Sequence, residues 1–513
     1  MTSYFRKHLP FIILLTATAA FILYFSLFTI IRYQKLYSHY FDLGIMHQTV
    51  YNTYMGLKTG DLSRILEMTD PHASLEQVKR MAVHNDIFLA VLAPFYFIYA
   101  GPEMLLVIQV TVVAFGAYFI LLIGEEIFRK KKHGEWIAVA FALSYLLYPP
   151  LQKAVNFDFH AVTLAPTFLL GMWYAGMKKN YLLAIVWACL TLMTKEQVGL
   201  VIAAYGVYLI WNEIPKAQRS KMRLIKAIIR IPRPVLICAS TLVLAGVSWV
   251  LISMLFIIPH FRGSEHFGAE YYSYLAADPL RFFSTVFRYE SLHYVFILLV
   301  PAGLLAVFSP IILLIASPEF AMNILSSNGN MRNIYFHYDT VLTAFVFIAS
   351  MYGGRNVLGS RVFEVRFIKK VLSQLHLSRE SVLIAYILLL ATVFSIYLSP
   401  LPWGHHRETF LWKNREAKVE DVMLWQKYLE DDQIKVSASG HLAPHFTSRQ
   451  YFYDFAGGYA RAEFVIIDTW DISRGFQAEE SIAEYEALKN DWKYIRIYEQ
   501  HGIEVFKRLE IRD

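Results

Sequence analysis

The residues of this chain that could do chemistry lie in a few short polar segments between long apolar runs. Asp42 stands in Tyr40-Phe41-Asp42-Leu43-Gly44, shortly after an apolar run at 10–31. A carboxylate there can act as a general base or hold a cation beside a phosphate; alternatively it caps a helix beginning at Leu43. His84-Asn85-Asp86 offers an imidazole, an amide and a carboxylate that can ligate a metal, grip a phosphate at a helix N-terminus, or serve as a plain cap. In Asn156-Phe157-Asp158-Phe159-His160 an extended chain puts Asp158 and His160 on one side. That pair suits acid/base work or two ligands of a metal, and otherwise an interfacial anchor. Lys195-Glu196 separates two apolar runs, where charges are costly and point to function, unless both side chains snorkel outward from a solvated turn. Glu319, beside Pro318, stands similarly inside an apolar run. Residues 328–338 carry Arg332, His337 and three aromatics. Arginine suits bidentate phosphate binding, and aromatic faces suit sugar rings or prenyl chains; the competing reading is an aromatic belt.

Other chemistries find no support. There is no Gly-rich phosphate loop, dinucleotide fingerprint or HExxH motif, which argues against a cytosolic nucleotide as direct substrate. The two cysteines, Cys189 and Cys238, both fall in apolar runs and exclude a disulfide framework or a cysteine metal site. In the tail, Ser437, His441 and His445 have no partner pattern in the sequence.

The elements that must position these residues are membrane helices. The chain has 513 residues, of which 56% are hydrophobic and 17% charged, where a soluble domain has about 25% charged. Mean hydropathy is +0.39. The apolar excess is concentrated at 10–31, 103–123, 135–151, 161–177, 180–194, 197–212, 234–259, 292–308, 309–325, 338–353 and 381–399. These runs predict a mainly α, polytopic membrane protein of about eleven spans. The net charge of +7 reflects basic clusters between runs, so it reads as topology and not as a nucleic-acid surface. Arg6-Lys7, Arg129-Lys130-Lys131-Lys132, Lys178-Lys179, 216–233 and 355–370 all face the cytoplasm if 87–100 lies along the outer interface instead of crossing. The N-terminus is then cytoplasmic. The segments 32–102, 152–160, 260–291 and 326–337 are outside, as is the Lys195–Glu196 turn. A transmembrane part at 1–400 is followed by a charged extracytoplasmic tail, 401–513. Strand-like 434–439, 463–470 and 494–499, with a helix-like 476–491, predict a small α/β domain there.

Six ordered strings carry a family resemblance: FDLGIMHQTVYNTYMG (41–56), HNDIFLAVLAPFYFIYAGPEMLLVIQ (84–109), NFDFHAVTLAP (156–166), TKEQVGL (194–200), FHYDTVLTAFVF (336–347) and VSASGHLAPHFTSRQYFYDF (436–455). Together they resemble the DUF2079 family of bacterial and archaeal membrane proteins, itself similar to the GT-C glycosyltransferase superfamily. The resemblance implies transfer of a sugar from a polyprenyl-phosphate carrier at the outer face of the plasma membrane. Asp42 takes the position of the membrane-proximal acid, although Leu43 follows it where an acidic residue often does. The 84–100 segment takes that of a juxtamembrane helix. By the same resemblance Asp42 is the catalytic base or a cation holder, and Lys195, Arg332 and His337 neutralise the donor phosphate. His84, Asn85, Asp158, His160 and Glu196 line the cavity. A divalent cation, Mg²⁺ or Mn²⁺, falls to Asp42 and Asp158. The rival expectation is a transporter or lipid-handling protein, since short apolar segments with charge at their junction also occur in broken transporter helices.

Overall fold

Backbone polar groups inside hydrocarbon must be satisfied within the segment, so the apolar runs take the one local solution, the α-helix. The structure, a computed structural model, describes residues 2–71, 76–215, 230–365, 370, 372–409, 412–474 and 477–509. Among these, five helices are long and apolar enough to cross a membrane: His8–Gln34, Pro102–Phe128, Arg233–Arg262, Thr340–Leu358 and Arg379–Leu398. The remaining expected spans are shorter helices, Gly134–Leu146, Ala161–Met177, Tyr181–Leu192, Val198–Glu213, Tyr289–Ala302 and Pro310–Leu325. The last two are broken for local reasons. Gly303, at φ 85°, ends the first, and Pro310 and Pro318 start new turns in the second.

The helices pack on one apolar core that includes Val113, Leu169, Val201 and Phe345. Val198–Glu213 and Arg233–Arg262 approach closely at Gly199 and Gly246. A methyl group on either would overlap the other's carbonyl, so only glycine permits this crossing. Exposed Leu15, Leu23, Ile237, Leu244 and Leu389 give the bundle the apolar outer surface that lipid requires. Phe88–Phe97 is too short to span, at about 1.5 Å per residue. It packs Leu89, Leu92 and Tyr96 inward and turns Phe95, Phe97, Ile98 and Tyr99 outward.

Two small sheets lie at one end of the bundle. β1 (Glu67–Thr69) and β2 (Gln77–Lys79) pair antiparallel within the first long loop. Five strands form a mixed sheet in the tail: β3 (Val436–Ala438), β4 (Phe452–Asp454), β5 (Phe464–Asp468), β6 (Tyr494–Gln500) and β7 (Ile503–Arg508). The spatial order is β4-β3-β5-β7-β6. β3 runs parallel to β4 and β5, and β7 runs antiparallel to β5 and β6. His501 and Gly502, both at positive φ, make the tight β6–β7 turn. The expected strands are β3, β5 and β6, and the expected helix is Ala478–Asn490; its first position, 476, is outside the described residues. The sequence reading lacks β4, β7 and the helix Glu416–Tyr428. Of the basic stretches, 216–229 and 366–369 are also outside the described residues.

The tail is locked onto the first loop. Leu36, Tyr40, Met68 and Val78 share a core with Val436, Phe452, Ile466 and Val505. The Tyr40 amide donates to the Gly440 carbonyl at 2.9 Å, and the Phe452 amide to Thr69 Oγ1 at 3.0 Å. The opposite sheet face packs on Ala478–Asn490 through Val465, Ile467 and Leu488.

Candidate functional site

The chain leaves the first helix through Leu36, at φ 62°, and enters a one-turn π-helix, Tyr40–Gly44, capped by the His39 imidazole. This turn presents Asp42. A buried ion pair between Arg32 and Asp158 fixes its approach. The second Asp158 oxygen accepts from the His39 amide at 2.9 Å. Asp158 thus has both oxygens engaged and clamps the first helix to the 152–160 loop. His160 faces Asp42, with Nε2 3.3 Å from Oδ1, and its ring stacks on His337 at 3.7 Å. Gln109 holds this loop by accepting from the His160 amide at 2.9 Å and donating to the Val155 carbonyl. Burial works to raise the Asp42 carboxyl. The His160 hydrogen bond and charge, with His39 and Arg32, outweigh it and hold the group below the usual carboxylate range. Burial and the neighbouring His160 drive His337 well below the ordinary histidine value, so its ring is neutral.

A second cluster gathers around Glu196, in the turn between Tyr181–Leu192 and Val198–Glu213. His84 Nδ1 lies 2.8 Å from Oε1, the Asn85 amide donates to Oε2 at 3.0 Å, and His266 Nε2 is 3.6 Å from Oε1. Burial opposes ionisation of Glu196, but the His84 charge and hydrogen bond, with Lys195 and His266, hold the carboxyl far below its ordinary value. Burial brings His84 down to about 4. Asn85 donates through Nδ2 to Ser253 Oγ at 2.8 Å, tying the loop to the helix Arg233–Arg262. Arg80 clasps Asp86 with two 2.8 Å bonds beneath. His84, Glu196 and His266 each offer a ligand atom, all within 4.8 Å of one another, and could hold a metal ion. Among the described residues the buried His266 Nε2 makes no hydrogen bond, as an open ligand position would. Two imidazoles with one carboxylate suit Zn²⁺ better than Mg²⁺.

Both clusters line one cavity of about 680 Å³, together with Lys195 and Tyr338. Lys195 Nζ lies over the Tyr338 ring at 5.9 Å, with no carboxylate at ion-pair distance among the described residues. Ile45, Met46, Leu200, Val250, Met254 and Met322 make the walls apolar. A second cavity of about 440 Å³ adjoins it, sharing Phe41, Asp42, His337 and Tyr338, and is closed by the tail through Ser439, His441, Asp454 and Asp471.

Of the residues singled out in the sequence, Asp42, His84, His160, Lys195, Glu196 and His337 come together on the larger cavity. Asn85 and Asp158 sit behind it as anchors. Arg332 is not on either wall. Its guanidinium donates to the Asn323, Ile324 and Ser326 carbonyls at the C-terminal end of Ser317–Leu325. Unsatisfied helix carbonyls outcompete the cavity for it. Sequence reasoning missed Arg32 and His266, whose partners Asp158 and Glu196 lie far away in the chain, and Arg80, which pairs locally with Asp86; it named His441 but not its partner Asp471.

The arrangement defines a class: a multi-pass membrane protein with a polar site at one end of its helical bundle, closed by a small mixed sheet. Within that class the chain belongs to the DUF2079 family, described as predicted membrane proteins, whose sequence pattern it matches over residues 32–505. No curated protein matches the sequence. Among solved structures, an oligosaccharyltransferase from Archaeoglobus fulgidus, tethered to an acceptor peptide, is 10% identical with a TM-score of 0.42, over 99% of this chain and 75% of that one. The same organism's AglB, in complex with an inhibitory peptide and a dolichol-phosphate, gives 10% identity and 0.45 over the same shares. ArnT from Cupriavidus metallidurans in the apo state gives 11% and 0.45 over 91% and 93%. These TM-scores lie below 0.5, and no functional argument rests on them.

Proposed function

We propose that the protein is a membrane glycosyltransferase that takes a sugar from a polyprenyl-phosphate carrier and passes it to an acceptor on the extracytoplasmic face. One observation carries this reading: Lys195, a cation with no carboxylate at ion-pair distance among the described residues, and Asp42 line the same cavity, whose walls are apolar side chains from the loop and from spanning helices. A lipid-linked phosphate has this chemistry, an anion joined to a hydrocarbon chain. Lys195 meets the phosphate, and its charge favours departure of the polyprenyl phosphate as an anion. His160 orients Asp42 toward the sugar, where the carboxylate balances positive charge developing at the anomeric carbon. His337 and Tyr338 form an aromatic wall beside it. A divalent cation on His84, Glu196 and His266 would add positive charge near the phosphate.

The transporter reading requires Lys195–Glu196 to lie at mid-membrane, remote from Asp42. Glu196 is instead bonded to His84 and to the Asn85 amide in the first loop, which favours transfer at the bundle end.

The test is transfer of radiolabelled sugar from polyprenyl-phosphate donors in membranes carrying wild type, Asp42→Asn or Lys195→Ala. Each variant is expected to lose about 100-fold in kcat, the scale of removing one preplaced charge-stabilising group. Equal transfer by all three proteins would end the assignment.

A further inference from the structure

The smaller cavity holds titratable groups that the scheme above leaves unused. His441 Nδ1 lies 2.5 Å from Asp471 Oδ1, and the His441 amide donates to Asp471 Oδ2 at 2.8 Å. This double grip fixes both the tautomer and the ring plane, leaving Nε2 as the free nitrogen. Among the described residues Nε2 makes no hydrogen bond, and the side chain is 31% exposed while Asp471 is buried at 7%. An imidazole held this way by a carboxylate is the arrangement of a general base. It lines a cavity that Asp42 also lines.

We infer that this cavity is the acceptor site, that its ligand is the hydroxyl-bearing end of a neutral carbohydrate, and that His441, backed by Asp471, is the base that takes the acceptor's proton. The inference rests on the transferase reading. Its ligand class follows from the lining. Phe41 and Phe336 offer aromatic faces against which sugar rings stack. Asp42, Asp454 and Asp471 are set against Arg474, the only guanidinium on the wall among the described residues, and Arg474 is stacked on Trp470 at 4.3 Å. A phosphorylated or carboxylated acceptor would meet more like charge than opposite charge. Burial pushes Asp454 up to about 7, so near neutrality it can donate a proton to a hydroxyl oxygen as well as accept one. The groups around His441 are Asp471, His39, whose ring stands edge-on at 5.0 Å, and, lining the same cavity, Asp42, Asp454 and Arg474.

In the step, the acceptor oxygen bonds to the anomeric carbon while its proton passes to His441 Nε2. The anomeric carbon–oxygen bond to phosphate breaks, and the electron pair leaves with the polyprenyl phosphate. Asp471 stabilises the imidazolium, which returns its proton to water through the exposed ring edge.

The experiment measures sugar transfer from labelled polyprenyl-phosphate hexose to endogenous membrane acceptors between pH 5 and pH 9. It compares wild type, His441→Gln, His441→Ala and Asp471→Asn, with binding of unlabelled polyprenyl phosphate measured alongside. His441→Gln should lower kcat about 100-fold or more across the pH range, with donor KM within about two-fold of wild type. Added imidazole should restore part of the rate to His441→Ala, a rescue that a merely structural role would not give. Asp471→Asn should keep polyprenyl phosphate binding and lose rate. Wild-type rate and profile in His441→Gln, while Asp42→Asn is impaired, would overturn the base assignment and leave the transferase reading standing. A wild type that neither transfers sugar nor binds polyprenyl phosphate would overturn both.

Discussion

At the scale of single residues, the Arg32–Asp158 pair decides where Asp42 sits. Side-chain exposures of 11% and 1% place both charges away from water, and the His39 amide takes the remaining Asp158 oxygen. Their mutual attraction offsets a large desolvation cost, so neither tolerates loss of the other. Asp158→Ala is therefore expected to cost about 3–5 kcal/mol, as for other buried pairs broken on one side. Thermal unfolding in detergent should show the loss, with a smaller one for Asp158→Asn, which retains a hydrogen-bonding oxygen. Transfer activity should fall in both because the turn holding Asp42 loses its clamp. A melting temperature unchanged in Asp158→Ala would mean that Arg32 finds water, and that the clamp is not structural. The sequence marked Asp158 as a residue of interest because of its spacing from His160. It could not identify Arg32 as the partner, since a lone arginine at a helix end reads as an ordinary interfacial charge.

At the scale of elements, what was legible depended on how strongly each segment's own pattern dictated its conformation. Long apolar runs read directly as helices, and 87–100 read as a non-spanning segment because of its length and the charge balance it implied. β5, with all five residues buried, stood out as an apolar run between polar flanks. β4 did not, being three residues long and buried against distant parts of the chain, Thr69 in the first loop on one side and the tail core through Tyr453 on the other. The helix Glu416–Tyr428 has few buried positions, so its apolar periodicity is weak. Buried Arg449 positions that helix end: Nε donates to the Phe446 carbonyl at 2.6 Å, Nη2 to Leu429 at 2.6 Å and Nη1 to Ile434 at 2.8 Å. These bonds join the helix end, the strand β3 entrance and the turn that follows it. Arg449→Leu strands three carbonyls and should cost about 3 kcal/mol or more, at 1–3 kcal/mol for each buried group left unpaired. Faster amide hydrogen exchange in 429–452 would report it, with exchange in the spanning helices unchanged; equal exchange throughout would show the fork to be dispensable.

At the scale of the whole molecule, the site and the basic turns lie at opposite ends of several helices. Pro102–Phe128 starts beside the first loop and ends at the Arg129–Lys132 cluster, about 40 Å away at 1.5 Å per residue. Thr340–Leu358 starts beside His337 and ends near Arg355, and Ala161–Met177 starts beside His160 and ends at Lys178. Lys178 pairs with Glu126 across that far end at 2.5 Å. The basic turns thus collect opposite the site, and by the charge rule we propose that they are cytoplasmic and Asp42 is outside. Single cysteines at Ser264, Asn330 and Lys132, all exposed or partly so, test this in a Cys189→Ser background where Cys238 is buried. On intact cells a membrane-impermeant maleimide should label Ser264→Cys and Asn330→Cys, whereas Lys132→Cys should react only after permeabilisation. Labelling of Lys132→Cys alone would turn the molecule over. A lipid-linked donor displayed on the outer leaflet could then not reach the cavity, and the substrate would have to be sought among cytoplasmic carriers.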